Sequence, residues 1–194
     1  MITAEDSFLT EEERKFVLDY CKNARFRYGV ADSSQFLPTG MVADIYKNEK
    51  IYKLFSDTTK KYAPGREIYW MHVNLFVPKE VPYFHTDSEE EGDLTFLYYP
   101  NDNWHFNDLG STEFFVNDQV IGVPPIPNRL IYFDSQLKHR ATTFRSDHRF
   151  NVIIKYKSIE NLKKLYETGD ASPDKWDISP YSLSLIHISE PTRH

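Results

Sequence analysis

Residues 66–77 read Arg66-Glu67-Ile68-Tyr69-Trp70-Met71-His72-Val73-Asn74-Leu75-Phe76-Val77, and Pro78 ends the run. Aromatic and β-branched residues crowd it, and neither Gly nor Pro interrupts it, so it reads as a strand. The chain keeps this character downstream. Further strands are expected at 83–87, 93–99, 111–116, 119–123, 129–134, 140–144 and 149–157. Turns such as Pro100-Asn101-Asp102-Asn103 and Pro124-Pro125-Ile126-Pro127-Asn128 separate them. Short strands at this spacing predict a sandwich, a jelly roll or a barrel.

Upstream of this run the chain is helical in pattern. Thr10 and Glu13 have the spacing of a capping box, and Phe16, Val17, Tyr20 and Cys21 recur at helical spacing, which predicts a helix over 11–22. A second helix is expected over 49–62, capped by Asn48, with Ile51, Leu54, Phe55 and Tyr62 on one stripe and Ala63-Pro64-Gly65 as its stop. Ser158 is placed to cap a last helix through Ile159, Leu162 and Leu165. The expected organisation is one domain over 1–182, with a helical N-terminal support (1–65), a β core (66–157) and a C-terminal helix (158–167). Residues 183–194 follow no pattern set by the domain. They resemble translated sequencing-adapter sequence and are expected to be a non-native tail, so His187 and His194 are set aside.

Composition narrows the function. The chain has 194 residues, of which 40% are apolar and 15% aromatic, enough for one real core. Its single cysteine, Cys21, excludes a disulfide framework and a Cys-based zinc site. The formal net charge of -6 argues against a broad nucleic-acid footprint. No apolar run approaches the roughly 18 residues of a membrane span, and the acidic N-terminus lacks the basic region of a secretory signal. A cytoplasmic location without membrane attachment is the expectation. Glu89-Glu90-Glu91 within 88–93 reads as a solvated loop.

With the tail set aside, five histidines remain. In His85-Thr86-Asp87, residues i and i+2 of a strand point the same way, so His and Asp can grip one metal ion from one side. His139, far downstream, would complete two imidazoles and one carboxylate, the donor set of non-haem Fe(II) sites with open positions. Arg149 opens the next strand. Period two puts Arg149, Asn151, Ile153 and Lys155 on one face, and Phe150, Val152, Ile154 and Tyr156 on the other. An Arg turned into an apolar barrel needs an anion, and its fork suits a carboxylate. The alternative is a rim Arg paired with a surface acid.

These residues, in this order, resemble the 2-oxoglutarate/Fe(II)-dependent dioxygenases, most closely the prolyl 4-hydroxylase-like branch. The resemblance runs from about Tyr69 to Lys157. It includes Leu94-Thr95-Phe96-Leu97-Tyr98-Tyr99-Pro100-Asn101 with Trp104 beyond, Gly110-Ser111-Thr112-Glu113-Phe114, and Asn128-Arg129-Leu130-Ile131-Tyr132-Phe133-Asp134 ahead of His139. There are departures. Gly110 stands beside Leu109 and Ser111 where the family pairs two glycines, His148 replaces the usual Gly before Arg149, and Phe76 stands where many relatives carry a tyrosine.

The resemblance implies a mainly β fold with flanking helices (α+β), a double-stranded β-helix (jelly-roll or cupin-like) barrel with N-terminal helices packed on it. It implies that His85, Asp87 and His139 bind Fe(II), that Arg149 binds the distal carboxylate of 2-oxoglutarate, and that Asn74 and Tyr99 contact the same cosubstrate. No side chain beyond the metal centre need act as acid or base. The implied cofactors are Fe(II), 2-oxoglutarate and O2, with ascorbate as a further expectation. The implied reaction hydroxylates an unactivated C–H bond of a small molecule or peptide, such as a prolyl residue or amino acid, with release of succinate and CO2. Trp70 and His72 share parity with Asn74 and could line the substrate end, although packing would account for them equally. His105 and His148 read as structural or solvated.

Three alternatives stay open. Alkylated-nucleobase demethylases of the same superfamily carry Arg-x-Asn-x-x-x-Arg on the last strand, echoed by Arg149, Asn151 and Lys155, but net negative charge opposes phosphate binding. A non-catalytic cupin-like binding barrel would not need the triad and Arg149 together. A zinc hydrolase would leave Arg149 without a purpose. Specificity is expected to lie in loops at the barrel mouth, here 24–40 and 100–110.

Overall fold

The computed structural model describes residues 1–28 and 39–167. The loop residues 29–38, part of the stretch expected to shape specificity, and residues 168–194, with the expected tail, lie outside the described residues. The elements in chain order are β1 (Ile2–Glu5), α1 (Glu11–Asn23), β2 (Arg27–Tyr28), β3 (Met41–Asp44), α2 (Lys50–Thr59), β4 (Arg66–Phe76), β5 (Leu94–Tyr99), β6 (Thr112–Val116), β7 (Gln119–Val123), β8 (Arg129–Asp134), β9 (His139–Ala141), β10 (Arg149–Ser158) and α3 (Ile159–Glu167).

The mainly β expectation holds. A seven-stranded sheet runs β1-β8-β5-β10-β4-β3-β2 and a three-stranded sheet runs β7-β6-β9, with every strand pair antiparallel. Two clusters of buried side chains follow from period two. Val73, Phe96, Tyr98, Val152, Ile154 and Tyr156 face outward and bury against Val17 and Cys21 of α1 and Ile51 and Phe55 of α2. Leu97, Tyr99, Ile131, Phe133 and Ile153 face inward and meet Phe114 of the small sheet. The apolar halves of these strands are therefore covered on both sides, one by helices and one by the second sheet.

The N-terminal third differs from the expected helical support. β1, β2 and β3 all join the large sheet, and β1 pairs with β8 from Ile2↔Phe133 to Glu5↔Leu130. That pairing is long-range, so local pattern in so short a segment could not announce it. The capping box of α1 forms as read: Glu13 N donates to Thr10 Oγ1 at 3.3 Å, and Thr10 N donates to Glu13 Oε2 at 2.9 Å. α2 begins one residue later than expected, with Glu49 rather than Asn48 at the cap. The Glu49 carboxylate instead accepts from Tyr46 N and Tyr20 Oη. Ser158 Oγ does accept from Asn161 N at the start of α3.

The expected strand at 83–87 does not form. Pro78 and Pro82 lack ladder donors, and the segment touches the small sheet through one antiparallel bridge, His85↔His139. The acidic loop is also less solvated than expected. Glu89, Glu90 and Glu91 are exposed, but Asp93 is fully buried.

Candidate metal centre and anion pocket

The bridge that replaces the missing strand builds the first half of the site. His85 N donates to His139 O at 3.0 Å and His139 N donates to His85 O at 2.9 Å, which sets the two imidazoles 4.6 Å apart. Each ring then meets a backbone carbonyl through Nδ1: Tyr83 O at 3.0 Å for His85 and Leu137 O at 2.9 Å for His139. A carbonyl only accepts, so Nδ1 carries the proton in both rings. Both Nε2 atoms are turned toward Asp87. Asp87 completes the group. Its Oδ1 lies 3.8 Å from His85 Nε2 and its Oδ2 lies 3.5 Å from His139 Nε2. One donor atom from each of the three residues falls within 4.8 Å of the others, a spacing one cation can bridge.

The charge states suit that task. Burial opposes charging of His139 and lowers its pKa to about 4, despite the nearby Asp87 carboxylate, so the imidazole is neutral at pH 7. Burial alone would raise the pKa of Asp87. The Lys155 ammonium overrides burial and holds the carboxyl well below the usual range. Asp87 is fixed at both oxygens: Thr95 Oγ1 donates to Oδ2 at 2.6 Å, and Lys155 Nζ lies 2.6 Å from Oδ1. Ser135 Oγ lies 3.0 Å from Thr95 Oγ1. Because the Thr95 proton is committed to Asp87, Ser135 is the donor there.

Arg149 forms the second half. It is fully buried at the start of β10, between the rings of Tyr99 and Phe76 at 5.5 and 5.7 Å. Its Nε donates to Gly110 O at 2.7 Å and its Nη2 to Thr112 Oγ1 at 2.9 Å. Gly110 is required there, since φ is +83° and a Cβ would stand 2.2 Å from the Phe144 ring. The third nitrogen, Nη1, has no partner. No acid pairs with Arg149 among the described residues, and burial lowers its pKa to about 10. A buried guanidinium with a free donor and no counter-ion is an expensive arrangement unless an anion arrives.

The two halves share elements. Thr112 and Phe114 lie two apart on β6; the first touches Arg149, and the second packs on His139 at 5.9 Å. On β10, Arg149 and Lys155 have the same parity, with Asn151 and Ile153 between them. Across the sheet they face Phe76, Asn74, His72 and Trp70 of β4. Asn74 Oδ1, Asn151 Oδ1 and His72 Nδ1 are also buried without partners. The interior is thus lined with spare polar atoms. Trp70 donates from Nε1 to Asp44 Oδ1 at 2.9 Å and packs against His72 with the rings tilted and their centroids 4.0 Å apart.

All six residues singled out from sequence are drawn toward this interior. His85, Asp87 and His139 converge. Arg149 is buried on β10, and Asn74 lies across the ladder on β4, opposite Asn151. The Tyr99 ring flanks Arg149, while its hydroxyl donates to Thr112 Oγ1 at 2.7 Å. Sequence reasoning missed Thr112 and Ser135, whose hydroxyls fit no pattern. It gave Thr95 no role, although its parity with Tyr99 pointed inward, and it used Lys155 only in the nucleobase-demethylase alternative. His148 is exposed as expected. His105 caps the turn Phe106–Asp108, its Nδ1 accepting from Asn107 N.

No family model matches this sequence, and no curated protein matches it either. Solved structures do. The chain is similar to a prolyl-4-hydroxylase from Pseudomonas putida, with TM-score 0.62 and 15% identity over 80% of this chain and 91% of that one. It is similar to a prolyl hydroxylase from Trichoplax adhaerens, in complex with a hypoxia inducible factor oxygen degradation domain peptide fragment, with TM-score 0.66 and 18% identity over 84% and 86%. It is also similar to SnoK, a non-heme alpha ketoglutarate dependent carbocyclase from nogalamycin biosynthesis, with TM-score 0.62 and 12% identity over 80% and 78%. At these identities the likeness carries the fold alone: the two facing sheets form the double-stranded β-helix that these solved structures also have.

Proposed function

We propose that this chain is an Fe(II)- and 2-oxoglutarate-dependent dioxygenase of the prolyl 4-hydroxylase-like kind. The observation that carries the reading is Arg149, buried in the same interior as the His85, Asp87 and His139 donor set, with one nitrogen free and no counter-ion among the described residues. A metal site alone would not call for that cation. A dicarboxylate that meets the metal at one end and Arg149 at the other accounts for both.

In this reading His85, Asp87 and His139 hold Fe(II). Their Nε2 atoms and the single carboxylate suit a divalent first-row ion that keeps positions open for other ligands. Bound Fe(II) would supply the oxidising chemistry that couples O2 and 2-oxoglutarate to C–H hydroxylation, with succinate and CO2 as products. The protein's own task is placement and exclusion of water. Arg149 gives its free Nη1 to the distal carboxylate, while Gly110 O and Thr112 fix the plane of the guanidinium. Phe76 lacks a hydroxyl, so Tyr99 acts through Thr112, and Asn74 lends its carboxamide from β4. Leu97, Ile131, Phe133 and Ile153 keep the pocket dry. Ascorbate would serve as an added reductant in assays.

For the substrate, we infer a peptidyl proline or amino acid. Two of the structural neighbours are prolyl hydroxylases by name, and one holds a peptide. The carbocyclase among them has the same fold with other chemistry, so the screen extends to small molecules. Purified protein given Fe(II), ascorbate and 2-oxoglutarate is expected to form succinate, more so with prolyl peptides. His139→Ala is expected to form none. Failure of the Mn(II)-loaded protein to bind 2-oxoglutarate, together with no succinate, would overturn the reading in favour of a binding barrel.

A further inference from the structure

Lys155 is the one lysine whose ammonium reaches the candidate metal centre among the described residues. Its Nζ sits 2.6 Å from Asp87 Oδ1 and 5.0 Å from the centroid of the Trp70 ring. Its side chain is 13% exposed and that of Asp87 is 6% exposed, so the pair is poorly screened by water. No other acid pairs with Lys155 among the described residues. Its position on β10 is set by the register Lys155↔Trp70, and the strand shifts register immediately after it, between Lys155 and Tyr156. The ladder therefore holds Lys155 inward up to the bulge.

We propose that Lys155 is a built-in counter-cation of the metal centre: it balances the charge of Asp87 while the site is metal-free and weakens the grip on the metal when it enters. The proposal rests on reading His85, Asp87 and His139 as the metal ligands. Two neutral imidazoles and one carboxylate carry a net charge of about -1. Lys155 cancels it, so a divalent cation enters a neutral pocket rather than an anionic one. It must also accept an ammonium bound to the same carboxylate, and the like charges repel across a few ångström in a medium of low polarity. Thr95 still holds the other carboxylate oxygen, so Asp87 stays oriented if Lys155 is replaced. The residue is then a charge-setting group, and it makes the bound metal exchangeable.

The test is the affinity of the whole chain for Mn(II), titrated without 2-oxoglutarate and read from the signal of free Mn(II). Lys155→Met keeps an unbranched stem over Trp70 and removes the charge. It is expected to bind Mn(II) at least about tenfold more tightly than the wild type, and its melting temperature is expected to rise more on adding Mn(II). Lys155→Arg retains the charge and should stay close to the wild type. Unchanged or weaker Mn(II) binding in Lys155→Met would overturn the proposal. If that variant does not fold, Lys155→Gln provides the same comparison. His139→Ala separates the two levels: if it binds Mn(II) as the wild type does, the reading of the metal centre itself fails.

Discussion

β10 carries two buried polar clusters, one at each end, and they are built on opposite terms. At its C-terminal end, Lys157 Nζ lies 2.7 Å from Asp93 Oδ2, and the same carboxylate accepts from Ser88 Oγ, Ser158 N and Asn161 Nδ2. Every oxygen lone pair there has work within the chain, and the cluster ties the loop before β5 to the start of α3. At its N-terminal end, Arg149 leaves Nη1 free, and Asn151, Asn74 and His72 leave further atoms free. Both clusters are buried at similar depth on one strand. One is closed on itself and reads as structure; the other is unfinished and reads as a ligand site.

The largest effect should come from the ligands. Asp87→Ala or His139→Ala is expected to lower iron-dependent 2-oxoglutarate turnover by more than about 100-fold, since even outer partners of metal ligands cost 10–100-fold. Retained turnover would remove the unfinished cluster from the chemistry. Arg149→Met comes next. Losing a hydrogen-bonded charge pair of about 1.5–3 kcal/mol should weaken 2-oxoglutarate binding to the Mn(II)-loaded protein by roughly 10- to 100-fold. The ligand-free variant should melt no lower than the wild type, because an unpaired buried charge has been removed. A large fall in melting temperature would instead make Arg149 a structural residue.

The closed cluster should respond in the opposite sense. Asp93→Asn strands the Lys157 ammonium and is expected to cost about 3 kcal/mol of folding stability, measured by urea unfolding, with 2-oxoglutarate affinity unchanged. It should also alter the acid limb. Burial works to raise the Asp93 pKa, but the bonds from Asn161, Lys157 and Ser88 outweigh it and leave it lowered. A carboxyl lowered on folding contributes stability in full above its unfolded pKa of about 4 and loses it as pH falls through the folded value. The wild type should therefore lose this contribution only below about pH 4, and Asp93→Asn should lack that part of the acid dependence. The smallest effect is Asn74→Ala, whose Oδ1 bonds nothing: stability should move by less than about 0.5 kcal/mol, and 2-oxoglutarate binding should weaken by a few-fold.

The unfinished cluster was the more legible of the two. His85-x-Asp87, His139 and Arg149 stand out because their residue types are costly inside a β domain unless something binds them. The strands 119–123 and 129–134 keep the boundaries read from pattern, since alternation and flanking turns both mark them. The closed cluster was hidden. Asp93 sits in an acidic run that looks solvated, and only the fold brings Lys157 and Asn161 to it. β1 and β3 were hidden for a related reason, as their strand character comes from partners far along the chain. Thr112 and Ser135 act through single hydroxyls, which leave no periodic trace. The strand expected at 83–87 failed because the ladder stops at the single bridge His85↔His139, after which Asp87 N turns to Ser135 O.

The most direct measurement is calorimetric titration of 2-oxoglutarate into the metal-free protein, the Mn(II)-loaded protein and Mn(II)-loaded Arg149→Met. Binding to the loaded wild type is expected, with much weaker binding without metal and a loss of at least about tenfold in the variant. Equal affinity in all three, or none in any, would contradict that expectation.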